Sequence, residues 1–124
     1  MQKHDIALAI GRTLLALVFF IGGVKWLIGD LPFGYAAAKG VPALGVWIAF
    51  AIKLLGGLAV IVGFQTRVAA AAIIVFTTCT AFLFHPFWVA SEWNVFWKEI
   101  SMIGGFLVLI AAGPGALSID GRRT

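Results

Sequence analysis

Residues 53–70 read KLLGGLAVIVGFQTRVAA, and this stretch limits the possible folds more than any other. An apolar run ends at Gly63-Phe64, three residues (Phe64-Gln65-Thr66) lead to Arg67, and a second apolar run begins at once. A membrane-spanning helix needs about 20 mostly apolar residues. Two such helices joined by a very tight turn account for the pattern, and the rest of the chain can be laid out from that hairpin.

The composition agrees. The 124 residues are 62% hydrophobic and only 11% charged, with mean hydropathy +1.07. A water-soluble domain of this size needs far more polar surface to cover its core. With turns allowed for, the chain holds four spans and almost nothing else, so residues 1–124 read as one domain. The N-terminal apolar run is of spanning length and lacks a convincing small-residue cleavage site, so it reads as a retained first helix rather than a cleaved signal.

The spans fall at residues 6–28, 43–63, 67–85 and 95–112. Gly29-Asp30-Leu31-Pro32, Pro86 and Gly113-Pro114-Gly115 mark their ends, since glycine and proline together stop helices and start turns. The fold class is all-α, a four-helix transmembrane bundle with antiparallel neighbours. Lys3, Arg67, Arg122 and Arg123 gather at one side, with Arg12 close by, while Asp30, Lys39 and Glu92 lie at the other. Basic residues accumulate on the cytoplasmic side, so both termini and the Gln65 turn are expected in the cytoplasm. The formal charge of +4 then reports orientation, and no nucleic-acid partner is expected.

Trp26, Trp47, Trp88, Trp93 and Trp97 all fall at the end away from the Gln65 turn, with Phe33, Tyr35, Phe84, Phe87 and Phe96. Two readings are open: an interfacial belt at headgroup depth, or rings lining a cavity that opens outward. The pairs Gly22-Gly23, Gly56-Gly57 and Gly104-Gly105 suit close approach of helix backbones in lipid.

Ionisable residues inside a membrane are costly, and they point into the bundle or snorkel to an interface. Lys53 lies near mid-bilayer and shares a helix face with Ala49, Gly56 and Gly57. It should therefore point inward. Lys25, His85 and Lys98 lie in the outer half, with Glu99 the nearest acid and Asp30 and Glu92 above it. Lys25, Lys53, His85, Lys98 and Glu99 form the candidate polar pocket, and Trp26, Trp47, Phe84 and Trp97 its candidate aromatic wall. Snorkelling of Lys25 and Lys98 plus one structural ion pair is the blander alternative. Arg12 reads as a snorkelling anchor, and Arg67 as a topology residue that meets lipid phosphate or the carbonyl ends of the second helix. The single cysteine, Cys79, reads as a small core residue and cannot form an intramolecular disulfide. His4 and His85 are too far apart to share a metal, and none is expected.

Several of these stretches resemble the DoxX family of small bacterial membrane proteins. They are Arg12 with Phe19-Phe20-Ile21-Gly22-Gly23-Val24-Lys25, Leu54-Leu55-Gly56-Gly57-Leu58 with Gly63-Phe64-Gln65-Thr66-Arg67, residues 81–88, Phe96-Trp97-Lys98-Glu99 with Gly104-Gly105, and residues 113–120. The resemblance covers nearly the whole length. Two positions depart from it: Lys53 stands where members often carry an acid, and Glu99 where many carry asparagine. A Lys53–Glu99 pair is therefore expected as a hypothesis.

The resemblance implies a bacterial inner-membrane protein. Some relatives resemble the membrane subunit of thiosulfate:quinone oxidoreductase, and others are linked to membrane redox complexes that handle thiol stress. The leading expectation is a component of a membrane redox system that binds a quinone or a small sulfur anion. The alternatives are a non-enzymatic partner subunit or assembly factor that docks through its glycine stripes, and a small anion- or lipid-handling protein. A homo-oligomer or a partner membrane protein is expected. No cysteine pair or flavin motif marks an unassisted enzyme.

Overall fold

In a computed structural model, residues 3–122 are described, without the side chains of residues 3 and 122. The terminal charges used above for orientation (Arg123 and the side chains of Lys3 and Arg122) lie outside the described residues. No strand occurs among the described residues. The helices are α1 (Lys3–Ile28), α2 (Phe33–Ala38), α3 (Ala43–Ala51), α4 (Gly57–Val62), α5 (Thr66–Phe84), α6 (Trp93–Ala112) and α7 (Ile119–Arg122). A π turn, Ile52–Gly56, joins α3 to α4, so Ala43–Val62 is one span. Four helices are long and apolar enough to cross a membrane, and their positions agree with the sequence reading to within a few residues.

Three features were not anticipated. The first connection contains a helix, α2, which starts after Pro32 and is rich in alanine, the residue that costs least in a helix. The second span carries the π turn. The tail folds back instead of hanging free, and α7 lies against the hairpin turn.

That turn is built from backbone geometry. Gly63 ends α4 in the left-handed region at φ 75°. The Phe64 N–H donates to the Ala59 carbonyl at 2.8 Å and the Gly63 N–H to Val60 at 3.2 Å, the paired bonds of a glycine-terminated helix. Gln65 also takes a positive φ, 47°, and α5 begins at Thr66. The Asp120 carboxylate accepts from the Gln65 N–H at 2.8 Å and the Thr66 N–H at 2.9 Å, which caps α5. The Asp120 N–H returns a bond to the Gly63 carbonyl at 2.8 Å.

Arg12 completes this end. It is 5% exposed. Its guanidinium donates to the carbonyls of Val60 (3.1 Å), Pro114 (2.9 Å), Ile61 (3.3 Å) and Leu117 (2.5 Å). The expectation of a snorkelling anchor is corrected: the side chain turns inward because the last carbonyls of α4 and the tail have no helical partner of their own. Arg67 is exposed and its Nε donates to the Ile110 carbonyl at 2.8 Å. It therefore meets the carbonyl end of α6, not that of the second span.

The core lies in the half of the bundle nearer the Gln65 turn, where Ala16, Phe19, Val60, Ala70, Ile73, Phe106 and Leu109 are buried together. The Phe19 and Phe106 rings meet edge to face at 5.7 Å between centroids. α5 packs on α4, the π turn and α6, and hardly on α3. The hairpin is thus closed at its turn and splayed at its other end.

Candidate functional site

The splay leaves a cavity of about 470 Å³, within the ~300–1,000 Å³ range usual for small-molecule sites. Its walls are mostly apolar. The polar groups on it come from three elements: Lys53 on the π turn, Thr80 and Cys79 on α5 with His85 at its end, and Glu99 on α6. Trp26, Tyr35 and Phe84 add ring surface. The Tyr35 and Phe84 rings stack at 5.2 Å with 24° between planes, so α2 roofs the cavity. Ile48, Val75, Cys79 and Leu83 line it and are also exposed. They lie within spans, so the mouth faces the hydrocarbon between α3 and α5, and not outward as in the cavity reading left open by the sequence.

Each inward side chain has a local cause. On α1 the buried stripe runs Arg12, Ala16, Phe19 and Gly23, with Trp26 next in the series. Lys25 is about 100° away from Trp26 and is exposed. On α6 the inward stripe runs Phe96, Glu99, Met102, Phe106 and Leu109. Lys98 falls outside it and is exposed. Lys25 and Lys98 are therefore removed from the candidate pocket, whereas Lys53, His85 and Glu99 lie on it. Lys98 shares the small-residue face of α6 with Ser101 and Gly105. The larger side chains at i, i+3, i+6, i+10 and i+13 set the inward phase.

The aromatic residues divide the same way. Trp26 and Phe84 line the cavity, whereas Trp47 and Trp97 do not. Trp47, Trp88, Trp93 and Trp97 are 52%, 66%, 51% and 44% exposed, as an interfacial belt requires. Trp26 lines the cavity, and the other four tryptophans are left exposed at the same end of the bundle. Cys79 is exposed at the mouth and is not the core residue expected.

Lys53 Nζ stands 4.1 Å from the centroid of the Trp26 ring, a cation–π contact worth about 0.5–2 kcal/mol. Its stem crosses α1 at Gly22, where an added Cβ would lie 2.8 Å from Lys53 Cε and Nζ. The π turn adds a residue to the helical turn at this point, as π turns near functional sites often do. No ion pair within 4 Å joins Lys53 to Glu99, so the expected pair is two groups facing one cavity.

The acid side of the site is a cluster. His85 Nδ1 lies 2.6 Å from Glu92 Oε2, and Nε2 lies 3.9 Å from Glu99 Oε1. Glu99 Oε2 is buried without a hydrogen-bond partner. Glu92, placed above the pocket by the sequence reading, belongs to the site through His85. The only sequence signal for it is a seven-residue spacing across the Pro86 turn.

The glycines are used inside the chain. A Cβ on Gly23 would meet the Leu54 backbone at 2.8 Å, and one on Gly57 the Phe20 N at 2.8 Å. Gly104 faces open space. The expected glycine docking stripe is therefore mostly internal packing between α1 and the second span. Among the described residues, no group of three or more potential ligands could hold a metal.

The sequence pattern that defines the DoxX family matches residues 7–86. The inner membrane protein YqjF of Escherichia coli K12 is 36% identical over 121 residues, which cover 96% of this chain and 93% of the relative. The inner membrane protein YphA of the same organism is 34% identical over 128 residues, covering 96% and 91%. A Surfeit locus protein 4 homolog of Schizosaccharomyces pombe is 26% identical over 72 residues, covering 52% of this chain and 24% of that protein. No solved structure matches.

Proposed function

We propose, for a chain that belongs to the DoxX family and spans the bacterial inner membrane several times, that its lateral cavity binds a quinone as the membrane component of a redox system. The observation that carries this reading is a ring-lined cavity whose mouth faces lipid and whose polar groups converge at its inner surface. A ligand entering from hydrocarbon must itself be lipid-soluble. Trp26, Tyr35 and Phe84 offer ring surface to a flat ring bearing two carbonyl oxygens. The residues fit such a group: Lys53 and His85 can donate hydrogen bonds to its oxygens, and the unpartnered Glu99 Oε2 offers a place for a proton. A bound quinone supplies the electron-carrying ring, and a redox partner protein supplies the electrons, since one cysteine makes no dithiol pair. With Arg67 exposed at the Gln65 end and Glu92 at the other, that end would face the cytoplasm.

Native mass spectrometry of protein released gently from its own membrane tests the reading. A mass increment matching a quinone, together with saturable binding of decylubiquinone that Lys53→Met weakens about tenfold, is expected. A chain that carries only phospholipid and binds no decylubiquinone would exclude it.

A further inference from the structure

Glu92, in the connection after α5, lies off the cavity lining, whereas His85 and Glu99 are part of it. Glu92 ends the 3-10 turn Ala90–Glu92 at the edge of the bundle, with its side chain 29% exposed. His85 is 30% exposed, and Glu99 only 14%. One histidine ring therefore presents one nitrogen to a carboxylate at the edge and the other to a carboxylate in the wall of the cavity. The outer contact, at 2.6 Å, is as short as a charge-assisted hydrogen bond. The inner gap of 3.9 Å exceeds hydrogen-bond length, and a small rotation of the Glu99 carboxylate or one bridging water closes it. Beyond it lies Glu99 Oε2, buried and unpartnered.

A purely structural role leaves this geometry unexplained. A single ion pair would hold the end of α5 to the following connection, yet two acids from separate elements converge on one ring. Buried polar atoms are normally satisfied, and an exception calls for a cause. The remaining groups around the ring have other duties. Tyr35 of α2 stacks on Phe84, Lys53 of the π turn sits over Trp26 across the cavity, and Lys25 and Lys98 point outward.

We infer that Glu92, His85 and Glu99 form a proton relay between the aqueous edge of the membrane and the cavity. In the inward direction the O–H bond of Glu92 breaks as an N–H bond forms at His85 Nδ1. The Nε2–H bond then breaks as an O–H bond forms on Glu99. The electron pairs stay on the atoms that lose the proton, and no oxidant or reductant is needed. The ring is left protonated at Nδ1, and the starting tautomer returns when Nε2 takes a proton from water and Nδ1 gives one to water, which the 30% exposed ring can reach. The reverse sequence carries a proton out. The relay rests on the quinone reading only for what the proton meets in the cavity; its own steps do not require a bound ligand.

Hydrogen–deuterium exchange followed by infrared spectroscopy on the full chain in nanodiscs tests it. The carboxylic C=O band of Glu99 is identified by its loss in Glu99→Gln, across a pH series. Exchange at that band is expected to be fast in the unaltered protein and in Lys98→Met, and slowed about a hundredfold in Glu92→Gln and His85→Gln. If one of these two fails to fold, as judged by circular dichroism, the other carries the test. Unslowed exchange in a folded variant, or no Glu99 band at any pH, overturns the relay. Decylubiquinone binding on the same samples keeps the two ideas separate: intact binding with unslowed exchange removes the relay alone. Slowed exchange without binding keeps the relay and removes the quinone.

Discussion

The Lys53 side chain crosses α1 at Gly22, and an added Cβ there would sit 2.8 Å from Lys53 Cε and Nζ. This contact places the ammonium over Trp26 at 4.1 Å. Gly22 thus acts as a notch for a charged stem, whereas Gly23 and Gly57 let backbones touch.

The difference between these glycines can be measured. Gly22→Ala meets only the flexible end of a side chain. It should leave the melting temperature nearly unchanged while weakening decylubiquinone binding. Gly57→Ala meets the Phe20 backbone at 2.8 Å and should cost about 1–3 kcal/mol, the usual range for overpacking. Thermal unfolding in one detergent compares them, and a Gly22→Ala protein that binds normally would argue against the notch.

Arg12 is expected to matter for stability far more than an interfacial anchor would. It serves four carbonyls from a buried position, and hydrogen bonds from a charged group contribute about 1.5–3 kcal/mol each. Arg12→Met should cost about 3 kcal/mol or more, and Arg12→Lys should recover only a part because an ammonium cannot reach all four. Unfolding in mixed micelles measures the loss, and a change within about 0.5 kcal/mol, as at an ordinary surface site, would contradict it.

Asp120 ties the tail to the hairpin. Its replacement by alanine should cost about 1 kcal/mol, as for other helix caps. Amide exchange should rise at Gln65 and Thr66, whose N–H groups it accepts from, and not in the middle of α5. Asp120→Asn keeps one acceptor oxygen and should lie between the two.

Cys79 reports on the cavity mouth. It is the chain's single cysteine, and it is both exposed and part of the lining. A lipid-soluble maleimide should label it, and saturating decylubiquinone should slow that labelling. Equal rates with and without decylubiquinone would place the ligand elsewhere.

How much of this was readable beforehand varies by residue. Lys53 was readable as inward, because its small neighbours Ala49, Gly56 and Gly57 restrict it to a packing face. Lys98 and Glu99 were not separable, since hydropathy finds a span but not its rotation when both faces are apolar. Here the phase of α6 is set by Phe96, Phe106 and Leu109 packing on the other helices. Arg12 looked like an anchor because its position along α1 is close to the interface, and its partners are 48 to 105 residues away in sequence. The helix at Phe33–Ala38 could have been found from the alanine run after Pro32.

The sequence by itself determined the four spans, the tight turn at Gln65, the family and the membrane location, because the length and hydropathy of each segment dictate whether it can lie in lipid. Only the tertiary structure decided which lysine enters the bundle, where the cavity opens, and that Glu92, His85 and Glu99 meet. Those outcomes depend on how helices rotate against one another. In a chain whose faces are nearly all apolar, rotation is chosen by side-chain packing and by the search of buried polar groups for partners, and neither is written into any local stretch.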